Sequence, residues 1–321
     1  MCMSDQWMCA AAIVLLSATT NAGLASERPD NPVLVKADDA IVLSNVSWST
    51  WLDVVLQSVH SVDPGFVERP VVVRLEAATD RYPITFGRIR RVSPPEVHLQ
   101  VHPDATMEAL VDDWRGYHEI AHLLIPFPGN DDIWFSEGLA SYYQYILQVR
   151  AGAIGADEAW QRLFAGFSRG LNDPAGTGRT LADLSPDMWR ERAFRRVYWT
   201  GAAYFLRVDV RLRRESAGKH SLDSALAEFN RCWRDSREDW TARQLLDRLG
   251  QLTIPGIWQE EYEAMIDRVA VPDVDAPMTA LGIEKAESGV RLSDHPDQKR
   301  LRDEIASGRS DEELHLEQSE P

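Results

Sequence analysis

The stretch His118-Glu119-Ile120-Ala121-His122 has the residue types and the spacing of a metal site on a helix. Residues four apart lie on the same face of an α-helix, so the two imidazoles can reach one ion. Zinc binds neutral imidazole nitrogens and carboxylate oxygens, and a catalytic zinc site keeps one position open for water. Two histidines and one distant glutamate would leave that position open. Glu119, beside the first ligand, is then the natural base for the water.

The alternative interpretation is a chance match in an exposed helical turn, because short motifs recur by chance. The flanking sequence favours the metal site. Apolar residues precede the motif with helical spacing, namely Met107, Leu110, Val111 and Trp114. Pro126 and Pro128 follow it as a helix stop signal. A second helix-like run then extends from Glu137 to Val149.

Three short blocks, in this order, resemble the gluzincin zinc metallopeptidases, and among them the aminopeptidase N and glycyl aminopeptidase groups. The blocks are HEIAH from His118, WFSEGLASYY from Trp134 and VYWTGA from Val197. The second is similar to the W-x-x-E-G-x-A/T-x-Y segment of these groups, which implies that Glu137 is the third zinc ligand. The third is similar to their Y-x-x-G-A segment, which implies that Tyr198 is the catalytic tyrosine.

Such a set of residues would suit the hydrolysis of a peptide bond. Glu119 would take a proton from the water as it attacks the carbonyl, and would pass this proton to the leaving amine. Tyr198 would donate a hydrogen bond to the tetrahedral oxyanion. The competing interpretation of Tyr198 is an ordinary core tyrosine. Four other tyrosines compete for the donor role, namely Tyr117, Tyr142, Tyr143 and Tyr204.

The sequence departs from the aminopeptidase pattern at two places. Fourteen residues separate His122 from Glu137, which is a shorter gap than is usual for aminopeptidase N. The G-x-M-E-N segment, whose glutamate grips the free amine of the substrate, is absent, and its expected place reads YPITFGRIRR from Tyr82. The arginines of this segment are Arg88, Arg90 and Arg91. They either steer acidic groups and terminal carboxylates or protect a solvated edge strand from pairing, so a metallopeptidase is supported and an aminopeptidase is not.

Several further polar residues have open roles. A histidine ligand normally donates its second N–H to a carboxylate or a carbonyl, and Asp112 or Asp113 could accept it. His98 and His102 lie on one face of a predicted strand, where they either contact the substrate or are polar residues of a sheet face.

The elements that must position these residues follow an α+β pattern. Strand-like runs at 71–75, 84–92 and 96–102 predict a small mixed sheet, with a hairpin between the last two. Residues 32–46 read as extended, and one helix at 105–124 would carry both histidines beneath the sheet. Later candidate helices span 137–151, 156–170, 187–213 as one or two helices, 222–233, 241–249 and 255–269. Together with the resemblance, this predicts a thermolysin-like zincin catalytic domain with a mostly helical C-terminal lobe.

The predicted domain organisation has four parts: a signal peptide at 1–25, an α/β lobe with the HExxH helix at 26–124, a helical lobe with the third ligand at 125–271, and a polar, disordered tail at 272–321. The tail is charged and poor in large apolar residues. The apolar run WMCAAAIVLLS near the N-terminus is too short to span a bilayer and precedes small residues at 23–25. Export to the periplasm or the extracellular space, without a transmembrane segment, is therefore predicted.

Composition narrows the class of partner. The 321 residues are 44% hydrophobic, which is enough for one large domain or two lobes. The formal net charge of -16 repels phosphate backbones and argues against nucleic acid. A peptide or protein substrate fits an exported zinc peptidase. One alternative is a zinc-binding pseudo-peptidase that acts as a scaffold for partners. The other is a helical interaction protein with a chance motif. Glu119 favours the enzyme, because a structural zinc site needs no base.

Overall fold

The computed structural model describes residues 24–25, 33–42, 46–68, 70–233 and 239–308. Its strands are β1 (Leu24–Ala25), β2 (Val33–Ala37), β3 (Val71–Ala77), β4 (Ile84–Arg90), β5 (Glu96–Val101), β6 (Ile283–Lys285) and β7 (Val290–Leu292). Its helices are α1 (Asp39–Val42), α2 (Trp48–His60), α3 (Met107–Asp112), α4 (Trp114–Ala121), α5 (Ile133–Arg150), α6 (Ala156–Leu171), α7 (Leu181–Leu184), α8 (Met188–Glu191), α9 (Phe194–Glu215), α10 (Leu222–Trp233), α11 (Ala242–Leu252), α12 (Pro255–Glu263), α13 (Asp275–Ala280) and α14 (Pro296–Ser307). Short 3-10 helices span Pro64–Glu68 and His122–Leu124.

Five strands form one mixed sheet in the order β1-β2-β3-β5-β4. The central strands β2, β3 and β5 run parallel, whereas β1 and β4 pair antiparallel at the two edges. In β5, Val97, Leu99 and Val101 are buried, and side chains alternate between the two faces of a strand. The predicted β4–β5 hairpin is confirmed by its antiparallel register, and β4 is left as an edge strand beside α4.

The single helix predicted at 105–124 is interrupted at Asp113, so that α3 and α4 are separate helices. The Asp113 carboxylate accepts hydrogen bonds from the backbone N–H of Arg115 at 3.0 Å and from the backbone N–H of Ile84 at 3.1 Å. A carboxylate at this position satisfies a free N–H of the first helical turn. Asp113 therefore starts α4 and ties it to β4. The prediction was wrong because the apolar periodicity continues across the break.

The helical part of the prediction agrees with the structure in type and order. The helix at 222–233 is α10, the helices at 137–151 and 156–170 are α5 and α6, and the region 187–213 is divided into α8 and α9. The helix at 255–269 is shorter than predicted, since α12 ends at Glu263. With the small sheet, these helices confirm the α+β class.

Two predicted segments differ from the structure. Residues 39–42 form α1, although they lie in the part that reads as extended. The disorder predicted from residue 272 is wrong as far as residue 308, because α13, the β6–β7 hairpin and α14 lie there. Ile305 of α14 is buried, and its carbonyl accepts a hydrogen bond from Arg150 of α5 at 2.8 Å. The prediction of disorder rested on the average composition of the tail. The few buried residues of a highly charged helix change that average little, which explains the error.

Some predictions fall on other parts of the chain. The signal peptide at 1–25 lies outside the described residues except for β1, and residues 309–321 of the predicted tail also lie outside them. The division into lobes at residues 124 and 125 stays a prediction. Within the described part of the chain, no helix combines the length and the apolar character needed to cross a bilayer.

Candidate metal centre

Three side chains from three consecutive helical elements meet at one point. His118 is in α4, His122 follows at the start of the 3-10 turn, and Glu137 is in α5. One ligand atom from each lies within 4.8 Å of the others. Oε2 of Glu137 is 3.2 Å from Nε2 of His118 and 3.6 Å from Nε2 of His122. Among the described residues, this is the one group of three or more His, Cys, Asp and Glu side chains close enough to hold a metal ion.

Both imidazoles are oriented by polar side chains of α5. Nδ1 of His118 lies 3.0 Å from Oε1 of Gln144, and Nδ1 of His122 lies 3.0 Å from Oγ of Ser136. A carbonyl oxygen can only accept, so Nδ1 of His118 carries a proton, and Nε2 is the nitrogen that would bind a metal ion. This donor set fits zinc, because two imidazole nitrogens and one carboxylate oxygen leave a fourth position open.

Neither aspartate that the sequence offered for this orienting role takes it. Asp113 caps α4, and Asp112 pairs with Arg162 of α6 at 2.9 Å. The helical repeat could have indicated Gln144 instead. It lies seven residues after Glu137, which is two turns along the same face of α5.

The ionisable groups of the site influence one another strongly. Burial acts to lower the pKa of His118, but the hydrogen bond and the charge of Glu137 outweigh it, and the pKa is raised. Burial acts to raise the pKa of Glu137, but the two histidines outweigh it, and the pKa is lowered. Burial lowers the pKa of His122 to about 3. Glu137 is thus ionised and His122 neutral near pH 7, and a bound cation would displace the proton from His118.

Glu119 lies between the metal group and the edge strand. Burial raises the pKa of its carboxyl to about 7, with the charge of His118 opposing this shift and that of Glu137 adding to it. A Cβ added at Gly87 of β4 would lie 2.2 Å from Cγ of Glu119, so the side chain rests against the bare strand backbone. A carboxyl group with a pKa near neutrality can accept and donate a proton at pH 7.

Tyr198 of α9 is the candidate tyrosine that lines the cleft. Its ring stacks on His118 with the centroids 5.7 Å apart, and the charge of Glu137 acts on its hydroxyl. Burial raises the pKa of Tyr198 well above its usual value, so the hydroxyl keeps its proton and can donate a hydrogen bond. The other four are core tyrosines, namely Tyr117, Tyr142, Tyr143 and Tyr204.

Two glycines set the distance between the helices that carry Glu137 and Tyr198. A Cβ added at Gly138 of α5 would lie 2.5 Å from Cα of Gly201 of α9. A Cβ added at Gly201 would lie 2.3 Å from the carbonyl oxygen of Trp134. The helices therefore touch backbone to backbone, which any side chain would prevent. Glu137 directly precedes the first glycine and Tyr198 lies one turn before the second, so both come within reach of each other.

The predicted basic strand meets the cleft only in part. Arg88 and Arg91 line it. The guanidinium of Arg91 donates to the carbonyl of His122 at 2.7 Å and so completes the end of the metal helix. Arg90 pairs instead with Glu96 at 3.2 Å on the sheet surface.

The two strand histidines do not belong to the cleft lining. His98 lies 2.9 Å from the carboxylate of Glu96 and is a residue of the sheet face. Nδ1 of His102 accepts a hydrogen bond from the backbone N–H of Asp104 at 3.1 Å. His98 thus matches the second of its two predicted roles, whereas His102 follows the end of β5 and lies outside the sheet.

Comparisons with known proteins find one family match and similar folds. The sequence model of the M61 glycyl aminopeptidase family matches residues 128–203, a segment that contains Glu137 and Tyr198. A search of curated proteins finds no match. The fold is similar to the aminopeptidase N family protein from Idiomarina loihiensis, with a TM-score of 0.59 and 15% identity over 82% of this chain and 50% of that chain. It is also similar to the M1 zinc metallopeptidase from Deinococcus radiodurans, with a TM-score of 0.52 and 13% identity over 75% of this chain and 49% of that chain.

The chain spans about half the length of these two structures. The resemblance to the gluzincin metallopeptidases is therefore found both in the sequence and in the fold. The family match covers the segment that contains Glu137 and Tyr198, and the shared fold covers most of the chain.

Proposed function

We propose that this protein is a zinc-dependent peptidase that hydrolyses peptide bonds with a glutamate as the base. The observation that carries the proposal is the position of Glu119. Its carboxyl lies in the same cleft as His118, His122 and Glu137, and its pKa of about 7 suits proton transfer near neutral pH. A site that holds an ion only for structure has four protein ligands and no need of a base.

Each side chain of the cleft has one task in the proposed reaction. Zinc held by His118, His122 and Glu137 would polarise the carbonyl and acidify a water molecule. Glu119 accepts the proton of the attacking water and passes it to the leaving nitrogen. The Tyr198 hydroxyl donates a hydrogen bond to the oxyanion of the tetrahedral intermediate. The free edge of β4 can align the backbone of the substrate, as the resemblance implies.

The finer description of the fold belongs to the same proposal. A sheet with α4 against it, followed by a helical lobe whose first long helix carries Glu137, is the arrangement expected of a thermolysin-like zincin domain. The α/β lobe at 26–124 and the helical lobe at 125–271 would be its two halves. The apolar run in residues 1–25 supports export to the periplasm or the extracellular space.

Zinc analysis and one substitution test the proposal. The full chain, purified without chelators, should contain about one zinc per molecule, and His122→Ala should lose it. Glu119→Gln should keep the zinc but lose nearly all hydrolysis of a peptide library, because the carboxylate moves the proton and does not hold the ion. Glu108→Gln is the matched control, since Glu108 is exposed on the neighbouring helix α3.

The possible outcomes separate the two candidate functions. Unchanged turnover of Glu119→Gln would refute its role as base, and loss of zinc would make it a ligand. A zinc-loaded wild type that cuts no peptide would instead support the pseudo-peptidase, a scaffold that binds a partner.

A further inference from the structure

We propose that the cleft selects an internal peptide segment with a large apolar side chain beside the scissile bond, and that Trp189 recognises this side chain. The inference rests on the proposed function and names its class of substrate.

Exposed aromatic rings are concentrated at this cleft. The described residues include four exposed large aromatic side chains, of which Trp189, Phe86 and Phe127 line the cleft. Trp189 is 58% exposed, although tryptophan is a largely buried residue on average. Exposed rings around a concave site mark a binding surface for an apolar group. The cavity measures about 520 Å³, which is large enough for several side chains of a peptide.

Trp189 has a fixed position relative to the reacting groups. Its ring packs edge-on against Phe194 at 5.0 Å between centroids, and Phe194 packs edge-on against Tyr198 at 6.5 Å. Tyr198 in turn stacks on the ligand His118. A continuous series of rings thus joins the exposed indole to the metal group. The neighbouring Met188 is fully buried and anchors the short helix α8. Trp189 is therefore pre-positioned for contact with a residue that flanks the reacting bond.

The charges of the cleft disfavour basic side chains and a free amine. Its carboxylates are Glu119 and Glu137, and both belong to the reacting site. Its remaining charged groups are the guanidinium groups of Arg88, Arg91 and Arg115. A terminal ammonium or a basic side chain would find no further carboxylate and would meet positive charge. An internal segment with an apolar side chain meets neither difficulty.

Matched peptides test the selectivity. Both ends are blocked, and Phe, Leu or Ala is placed on either side of one scissile bond. The wild type should cut the Phe and Leu peptides at least tenfold faster, in kcat/KM, than the Ala peptides, because a hydrophobic pocket discriminates by roughly 10- to 200-fold per missing group. Trp189→Ala should reduce this ratio about tenfold, and Trp189→Phe should preserve most of it. Leu171→Ala should leave the ratio unchanged, since Leu171 is exposed at the end of α6, away from the cleft.

Binding without turnover gives an independent measurement. In the Glu119→Gln background, calorimetry should show at least tenfold tighter binding of the Phe peptide than of the Ala peptide, and Trp189→Ala should remove the difference. Equal rates or equal affinities for the Phe and Ala peptides would overturn the proposal and leave the peptidase assignment intact. Selective binding with no turnover by the wild type would support the apolar site and refute the peptidase.

Discussion

Gly87 of β4 lies so close to Glu119 that an added Cβ would be 2.2 Å from Cγ of the glutamate. The backbone of β4 at Gly87 therefore lies directly against the side chain of Glu119. Gly87→Ala should displace the Glu119 carboxyl and lower kcat by about a hundredfold, the cost that a displacement of about 1 Å can have. The metal ligands should be unaffected. Steady-state kinetics and zinc analysis of the same preparation measure both effects.

Gly155 offers a matched control for this prediction. It is also replaced by alanine, but no atom lies within 4 Å of the added Cβ. Gly155→Ala should therefore leave kcat and zinc content unchanged. If Gly87→Ala retained full turnover, the contact would not fix the position of the base.

Removal of the Tyr198 hydroxyl should slow the reaction and preserve the fold. The ring of Tyr198→Phe can still stack on His118. We expect kcat to fall by roughly a hundredfold or more with little change in KM, since the hydroxyl acts when the oxyanion forms. Tyr204→Phe is the control, because the Tyr204 hydroxyl donates to the Trp258 carbonyl at 3.0 Å in the core. Normal kcat with reduced stability in Tyr198→Phe would show that Tyr198 is a core residue.

The amide of Gln144 should strengthen metal binding through His118. Gln144→Leu removes the acceptor for Nδ1 and should weaken zinc affinity by about 10- to 100-fold, measured by competition with a chromogenic chelator. Gln148→Leu lies one turn later on α5, and its side chain donates to the backbone carbonyl of Asp112 at 2.8 Å. This control should retain the wild-type affinity. Equal affinities in the two variants would mean that the hydrogen bond does not orient the ligand.

Part of the site could be predicted from spacing alone. His118 and His122 share a helical face because they are four residues apart, and this needs no knowledge of the fold. Glu137 and Tyr198 lie too far along the chain for such an argument, and only the resemblance to known blocks indicated them. The α+β class followed from the two periodicities, since strands alternate and helices repeat every 3.6 residues.

The remainder of the site depends on contacts between distant segments. The contact of Ser136 with His122 is recognisable only once α5 is placed against α4, whereas the helical repeat from Glu137 could have indicated Gln144. The break at Asp113 could not be predicted because the apolar residues keep their helical spacing across it. Periodicity alone does not reveal that Asp113 caps a new helix. The order around α14 was missed for a related reason: the buried Ile305 is one apolar residue among charged neighbours.

A buried ion cluster predicts an acid-dependent loss of stability. Asp223 of α10 lies 2.8 Å from Arg150 and 3.3 Å from Arg213, and accepts a hydrogen bond from Tyr143 at 2.7 Å. Burial acts to raise the pKa of Asp223, but the two arginines outweigh it, and the pKa is lowered from 3.8. This carboxylate therefore stabilises the fold above pH 3.8, and its contribution is lost as the pH falls through the lower, folded-state pKa.

Asp223→Asn tests this dependence. The variant should lose about 3–5 kcal/mol of unfolding free energy at pH 7, because it leaves buried arginines uncompensated. Its deficit relative to the wild type should shrink below pH 3.8. Urea unfolding between neutral and acid pH gives both quantities. Glu228→Gln, at an ion pair on the surface of α10, should change little. A deficit that stayed constant in acid would contradict the assignment.

The contact between Gly138 and Gly201 limits how this site could be transferred to another protein. Helices usually pack with axes about 8–10 Å apart, a distance set by their side chains. Here the backbones touch, and the glycines that permit this have no chemical group of their own. A designer who grafted the metal ligands, the base and the tyrosine onto an ordinary helix pair would reproduce every reactive atom. The tyrosine would still lie too far from the carboxylate, because the graft would omit the two residues that have no side chain.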